Sequence, residues 1–429
     1  MKWREAILST VLQDYQSGTW GSPPKQDGRD LPVLRSTNIN DASLVLNGVA
    51  YRSVPPRSAK RYKLIDGDII VTTSSGSRHL IGKCALFQQP EDEHCYLYSN
   101  FTLRLRPRQD VIVPRYLHLY LNSSKAKAQL LRIQSTTSGL RNLPIPLYLA
   151  QTLPLAPLSE QHRIVEILDQ ADALRKKRAE ADAKAACILP TLFYRMFGDP
   201  LANPRGFLTE MVGNLLTVLR NGTTAEQNQA GHGYPVTRIE TISAGTINPE
   251  RVAHVEMDDF ELAKWRMEPG DILFSHINSE SHIGKTAIYR GHPDPLIHGM
   301  NLLLLRPDAK RTRHEYLFAM LNTDSVRTAY RQKCKRAVNQ ASLNQKDIST
   351  LRVAVPPLDA QDRFCRLAEN LLMQIEAQRK AADKIERLFE NLLHSAFAGD
   401  LTTRWRESHM KELLLEMEQQ AKTIGIKEP

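Results

Sequence analysis

Several clusters of residues in this 429-residue chain have types that could do chemistry. Gly76-Ser77-Arg78-His79-Leu80-Ile81-Gly82-Lys83 imitates a phosphate-binding loop, but five residues separate its glycines where such a loop has four. Cys84 follows the lysine where a Ser or Thr is needed, and the chain then reads as a strand where a helix is required. Asp92-Glu93-His94-Cys95 offers metal-ligand types, yet neighbours on a short acidic stretch cannot all turn toward one ion, and a solvated turn accounts for them. His276 and His282 have no Cys or Glu at ligand spacing and read as polar loop contacts. No Gly-x-Gly-x-x-Gly follows a strand and no Asn/Asp-Pro-Pro-Tyr/Phe occurs, so neither a dinucleotide site nor an amino-methyltransferase signature is visible.

What remains is the equipment of a binding protein. Arg, Lys, Asn, Gln, Ser and Thr side chains can pair with base edges in a major groove and contact phosphates. The candidates are Arg35, Ser75, Ser77, Arg78, His79, Lys83, Thr137, Arg141 and Asn142 in the first half. In the second they are Arg238, His276, Asn278, His282, Lys285, Asn339, Gln340, Asn344 and Gln345. Structural roles stand beside this reading: Arg35 and Arg238 flank strands and could pair with Asp68 or Asp271, and Lys83 and Lys285 could cap a turn.

The charge distribution fits. The net charge is +10, and residues 1–150 carry 20 basic against 11 acidic side chains, or +9. Residues 200–355 sum to 19 − 16 = +3, residues 159–199 to 7 − 7 = 0, and residues 356–429 to 11 − 13 = −2. The excess lies on the strand-rich segments, which suits a polyanionic partner but is also compatible with a merely basic surface. Five scattered cysteines without a CxxC pair argue against a disulfide framework or zinc module and fit a reducing cytosol. No apolar run is long enough to span a bilayer, and the N-terminus lacks the apolar core of a signal peptide, so a cytoplasmic protein is expected.

The elements that must position the candidates are written twice. Pro32-Val33-Leu34-Arg35 returns as Pro235-Val236-Thr237-Arg238, and Asp66-Gly67-Asp68-Ile69-Ile70 as Pro269-Gly270-Asp271-Ile272-Leu273. Ile81-Gly82-Lys83 returns as Ile283-Gly284-Lys285, Leu103 to Pro107 as Leu303 to Pro307, and Tyr116-Leu117 as Tyr316-Leu317. The offset stays between 200 and 203, so the chain is an internal duplication. The frames agree while the loops differ: 72–80 corresponds to 275–282, and 133–142 to 336–345. Two related domains with different loops look like readers of different texts.

After each domain a proline-marked start opens a long helical run, at Pro154 and again at Val355. The runs end at Phe197-Gly198-Asp199 and Phe397-Ala398-Gly399-Asp400. Leu367, Leu371, Ile375, Ala382, Ile385, Phe389 and Leu392 follow three-and-four spacing, and Ile164, Leu168, Ala171 and Leu174 begin the same stripe. Pro190 kinks the first helix near its end or starts a new one. Forty residues make a rod of roughly 60 Å, marginal alone and stabilised by packing one stripe on the other. The alternative is that each helix lies on its own domain.

The order of these blocks, with Pro-Leu-Ser-Glu-Gln-His-Arg-Ile-Val at 157–165 and Pro-Leu-Asp-Ala-Gln-Asp-Arg-Phe at 357–364, resembles the DNA specificity subunit of type I restriction–modification systems. The resemblance covers residues 1 to about 406; Ala360 departs from Glu160 of the first copy, and the tail after Arg406 has no role in it. It implies an α+β fold. Residues 1–153 and 200–354 become two tandem target-recognition domains, and 154–199 and 355–400 two long helices pairing as an antiparallel coiled coil, with 401–429 a tail. It further implies a non-catalytic subunit that reads a bipartite double-stranded DNA target and docks two modification subunits and further restriction subunits. No cofactor is expected in this chain, S-adenosylmethionine, ATP and magnesium belonging to the partners. The rival readings are a self-contained DNA methyltransferase or nuclease, and a repeat scaffold that binds protein only.

Overall fold

A computed structural model describes residues 3–25, 29–75, 80–92, 94–135, 142–242, 246–278, 282–337 and 340–425. It divides into two units, one of residues 1–178 with 382–429 and one of residues 179–381. In the first, Leu12–Ser17, Thr102–Pro107, Ile69–Thr72 and Cys84–Leu86 form an antiparallel sheet in that order. Its strands alternate with period two. Ile69, Val71, Leu103 and Leu105 enter a core with Tyr116 and Leu117, while Ile70 and Ala85 enter a second core with Leu34, Leu64, Phe87 and Tyr98. Leu31–Leu34 pairs antiparallel with Ala50–Arg52 and parallel with Leu97–Tyr98. Arg4–Ile7 pairs with Thr152–Leu155, which ties the start of the chain to the strand entering the first long helix.

The second unit repeats this plan. Leu216–Asn221, Leu303–Pro307, Ile272–Phe274 and Thr286–Ile288 form its sheet, and Leu208–Met211 pairs with Arg352–Val355. The register is the same in both copies: Val33 faces Ala50 as Val236 faces Ala253. One region differs from the sequence expectation. Within residues 336–345, read as a polar loop, Gln340–Ser342 is a strand that pairs with Lys335–Ala337 and with Ile277–Asn278. In the first unit the helix Ser124–Ser135 runs into the corresponding stretch.

A buried ion pair recurs in the two sheets. Arg106 donates from Nε and Nη2 to Asp68, both at 2.7 Å, and Arg306 donates likewise to Asp271 at 2.7 and 2.8 Å. Both aspartates are fully buried, and each also accepts a backbone N–H, from Ile65 and Glu268. This corrects the expected alternative that Arg35 or Arg238 serves these carboxylates: the partner sits on the neighbouring strand, inside the repeated Leu-Arg-Pro block.

A close approach also recurs. A Cβ on Gly18 would lie 2.1 Å from Tyr98 O, and one on Gly222 2.3 Å from His298 O. Gly222→Ala is therefore expected to cost about 1–3 kcal/mol by overpacking against backbone that cannot yield. Urea unfolding measures this; a loss below about 0.5 kcal/mol, the usual range of an unstrained surface change, would refute the steric reading.

The first long helix is two helices, Leu158–Ala186 and Ile188–Phe197, broken at Cys187, so Pro190 lies in the first turn of the second piece. The other long helix, Leu358–Ala398, is continuous over 41 residues. Within the first unit, Ile164 and Leu168 share a core with Phe389, Leu393, Ala396 and Phe397. Arg175 there bonds Glu386 at 2.9 Å and lies over the Phe389 ring. Within the second unit, Phe193 and Phe197 share a core with Phe364 and Ala368. Early residues of each run meet late residues of the other, which is antiparallel pairing, and the fold is the expected α+β one.

The tail closes the first unit. Its helix Met410–Ile424 buries Leu413, Met417 and Ala421, and Gln420 Nε2 donates to Val111 O and Ala156 O. Glu416 accepts from the Ser159 N–H and hydroxyl at the start of the first long helix, where the exposed N–H groups favour an anion. Beside it, the fully buried Glu160 accepts from Trp3 Nε1 at 2.8 Å, Thr402 Oγ1 at 2.6 Å and Arg406 Nε at 2.7 Å. In the second copy Ala360 and Phe207 stand at the Glu160 and Trp3 positions and pack on an apolar core.

Candidate nucleic-acid interface

Three backbone hydrogen bonds gather the first unit's polar edge. Ser99 N donates to Leu34 O, Thr73 N to Phe101 O, and Leu143 N to Thr73 O. Ser74 and Asn142 form a bridge. Arg35, Ser75, Phe101 and Asn142 thus come to one edge from four separate stretches of chain. Asn142 is exposed and the Phe101 ring is 56% exposed, a large apolar surface left at a polar rim. Arg35 Nη2 reaches Gly48 O at 3.4 Å, and its guanidinium lies 5.9 Å from the Trp20 ring centroid. Arg52 lies over the same ring at 4.6 Å and is tied by Nε to Trp20 O.

The second unit builds its edge from the same frame. Thr237 N donates to Ile297 O, Gly299 N to Thr237 Oγ1, and Leu343 N to His276 O. Arg238 is half-buried and pairs with Glu240 at 3.0 Å, where the first copy has Thr37. His276 is 5% exposed, with no partner for Nδ1, and burial pushes its pKa down. It is therefore a neutral interior ring and not the polar loop contact expected from sequence. The sheet carries it inward one residue beyond the strand Ile272–Phe274 and Ser275. His298, also buried, is held at about 4 by the same desolvation.

The loop register is also corrected. Leu143 and Leu343 make equivalent bonds, so the copies align there with an offset of 200, and Asn344 corresponds to Pro144 and not to Arg141. Asn344 is the N-cap of the helix Gln345–Ser349, accepting from Asp347 N at 2.8 Å, and Gln345 Nε2 donates to Asn221 Oδ1 at 2.9 Å. Lys83 and Lys285 close equivalent turns through their backbone, each C=O accepting from Thr72 N or Ser275 N at 2.8 Å. The Lys83 side chain is exposed and that of Lys285 half-buried. Asn278 lies on the short strand paired with the one that contains Gln340, and His282 is exposed at the turn after it. Ser77, Arg78, His79, Thr137, Arg141 and Asn339 lie outside the described residues.

Trp20, Arg52, Phe101 and the helix Pro56–Tyr62, with Arg57, Lys60 and Arg61 exposed, were not singled out by sequence reasoning. The available signal was the run of bases without an acid from Ala50 to Lys63. For chemistry the edges offer little. Gly82-Lys83 leads into the strand Cys84–Leu86, as expected for a failed phosphate loop. Asp92 accepts from Tyr96 Oη at 2.7 Å and from His94 N, a local turn. Among the described residues no His, Cys, Asp and Glu group could hold a metal ion, and no helix is long and apolar enough to cross a membrane.

Two copies of one strand-rich frame, joined to paired helices and differing at their polar edges, define a tandem recognition protein. The chain belongs to the type I restriction modification DNA specificity domain family, whose description matches residues 22–181 and 210–387. It is a DNA-recognition subunit and not the subunit that carries out the chemistry. It is 42% identical over 188 residues to the putative type I restriction enzyme MjaX specificity subunit of Methanocaldococcus jannaschii, covering 43% of this chain and 44% of that one. The chain thus spans less than half the length of that relative. Against the EcoKI specificity subunit of Escherichia coli it is 27% identical over 412 residues, covering 88% and 83%. Against the StySPI specificity subunit of Salmonella potsdam it is 26% identical over 434 residues, covering 94% and 90%. Two solved structures share the fold. One is a chain from a type I R-M system described for complex assembly and conformational transition, with TM-score 0.54, 19% identity and coverage of 93% and 98%. The other is the S subunit from M. genitalium, with TM-score 0.51, 13% identity and coverage of 92% and 96%. At these identities the likeness bears on the fold alone.

Proposed function

We propose that this subunit reads a bipartite double-stranded DNA target, one half by each unit, and docks two modification subunits and, where present, restriction subunits. The observation that carries this is the pairing of a repeated frame with unrepeated edges: equivalent positions hold the same residue at Arg35 and Arg238 but different ones at Thr37 and Glu240 and at Asn142 and Ser342. Phosphate contacts set the register of a protein on DNA, and groove contacts from such edges select the sequence. The helix Leu358–Ala398 is 41 residues long, about 60 Å, which is more than one 34–36 Å turn of DNA, and its length would set the gap between the half-targets. S-adenosylmethionine would be bound by the modification partners, and ATP with magnesium by the restriction partners. The five free cysteines suit the reducing cytoplasm where these partners would be met.

Co-expression with the neighbouring modification subunit, followed by genome-wide mapping of methylated adenines, tests the reading. A bipartite methylated motif is expected, and exchanging residues 72–80 or 275–282 for foreign loops is expected to alter one half of it. A motif that survives both exchanges would overturn the assignment of the edges. Methyl transfer or cleavage by the purified chain without partners would overturn the non-catalytic role.

A further inference from the structure

The two units present opposite charge on equivalent surfaces. The matched registers Val33–Ala50 and Val236–Ala253 align residues 50–63 with 253–266. The first segment holds five basic residues and no acid, or +5. The second holds four acids and two bases, or −2. Each includes a seven-residue helix, Pro56–Tyr62 and Asp259–Trp265. On the first, Arg57, Lys60 and Arg61 are exposed and spaced i, i+3 and i+4, so they share one face. On the second, Lys264 pairs with Glu261, Arg266 with Asp294, and Trp265 Nε1 donates to Glu261 at 2.6 Å. Each unit also places two cations over a tryptophan ring: Trp20 carries Arg35 and Arg52, and Trp265 carries Arg220 and Lys264 at 4.9 Å each while its Nε1 is held by Glu261.

We propose that the first unit grips its stretch of DNA through the sugar–phosphate backbone, by the exposed basic side chains Arg57, Lys60 and Arg61 of the helix Pro56–Tyr62, with Arg35 and Arg52 at Trp20, while the second unit makes no such grip at the equivalent segment. This rests on the DNA-recognition reading above. Each phosphate neutralised releases condensed counterions, so the half-targets differ in how much of their affinity is lost with salt. The acidic face at 253–266 keeps phosphate away from the same position in the second unit. That unit's share of the affinity is then weighted toward its groove contacts, which carry the sequence information.

The test uses the full chain assembled with its modification subunits and a duplex bearing the mapped motif. The dissociation constant is measured from about 50 to 200 mM salt, the range over which phosphate contacts are read. The variant Arg57→Gln, Lys60→Gln, Arg61→Gln is expected to weaken binding and flatten the log–log salt slope by about 2–3, close to 0.9 per contact, with the methylated motif unchanged. The variant Lys264→Gln, Arg266→Gln is expected to leave the slope as in the wild type. An unchanged slope in the first variant overturns the proposal, as does an equal loss in the second. A change in the motif read by the first variant also overturns it, because the side chains would then be reading bases. A wild-type complex without salt-dependent DNA binding would instead overturn the DNA reading itself, so the two failures are distinguishable. All five substituted side chains lie on exposed helix faces or helix ends, and circular dichroism confirms that each variant is folded.

Discussion

Glu160→Ala is expected to destabilise the first unit by about 3–5 kcal/mol, the cost of breaking a buried pair by removing one partner. Glu160 is fully buried and the Arg406 side chain is 10% exposed, so solvent cannot replace the lost carboxylate. Three donors lose their acceptor together: Trp3 Nε1, Thr402 Oγ1 and Arg406 Nε. Arg406 keeps the Gly399 carbonyl, at 2.5 Å from Nη2, a longer contact from Nη2 to Thr402 Oγ1 at 3.5 Å, and its place over the Trp3 ring. Such unpaired donors are the costly part, more than the loss of the bonds themselves. The second unit shows the alternative, with Ala360 and Phe207 in an apolar core. Combining Glu160→Ala with Trp3→Phe and Arg406→Leu is therefore expected to recover most of the loss, because an apolar set of similar volume is often as stable as a buried ion pair. Urea unfolding gives the magnitude, and amide exchange at residues 4–7 and 152–155 shows where protection is lost. A cost below about 1 kcal/mol for the single variant would mean that the carboxylate is not the fastener it looks to be.

Phe197→Ala is expected to cost the second unit about 3–5 kcal/mol, the range for deleting a buried aromatic ring. Phe197 is 3% exposed, and its ring centroid lies 5.2 Å from Phe193, 5.1 Å from Tyr316 and 5.5 Å from Phe364. These rings join three helices: Ile188–Phe197, His314–Leu321 and Leu358–Ala398. Edge-to-face contacts add about 0.5–1.5 kcal/mol per pair beyond burial, so the upper half of the range is the better expectation. Amide exchange should speed up at 188–197 and 314–321 and stay unchanged at 114–121. There Phe397 performs the same task against Tyr116 and Tyr120, at 5.2 Å each. A small, uniform change across both units would show that the aromatic cluster does not fasten the helices locally.

The charge difference between residues 50–63 and 253–266 was written in the sequence all along. It became meaningful only once strand register showed that the two stretches occupy equivalent places. The strands Lys335–Ala337 and Gln340–Ser342 were invisible for a different reason. They are three residues each and polar, and the second pairs with Ile277–Asn278 some sixty residues earlier, so neither alternation nor turn chemistry announced them.

Sequence alone determined the duplication, the strand-rich frame, the two long helices and the family, because each rests on local periodicity or on repeated blocks in fixed order. It also placed Arg35 and Arg238 at matching positions. Only the tertiary structure decided which groups satisfy one another. Asp68 and Asp271 take Arg106 and Arg306 because those arginines lie on the adjacent strand. His276 turns inward, Asn344 spends its side chain on a helix cap, and the tail helix covers the start of the first long helix. Such choices depend on distances between residues far apart in the chain, and a buried polar group must find its partner there or lose several kcal/mol.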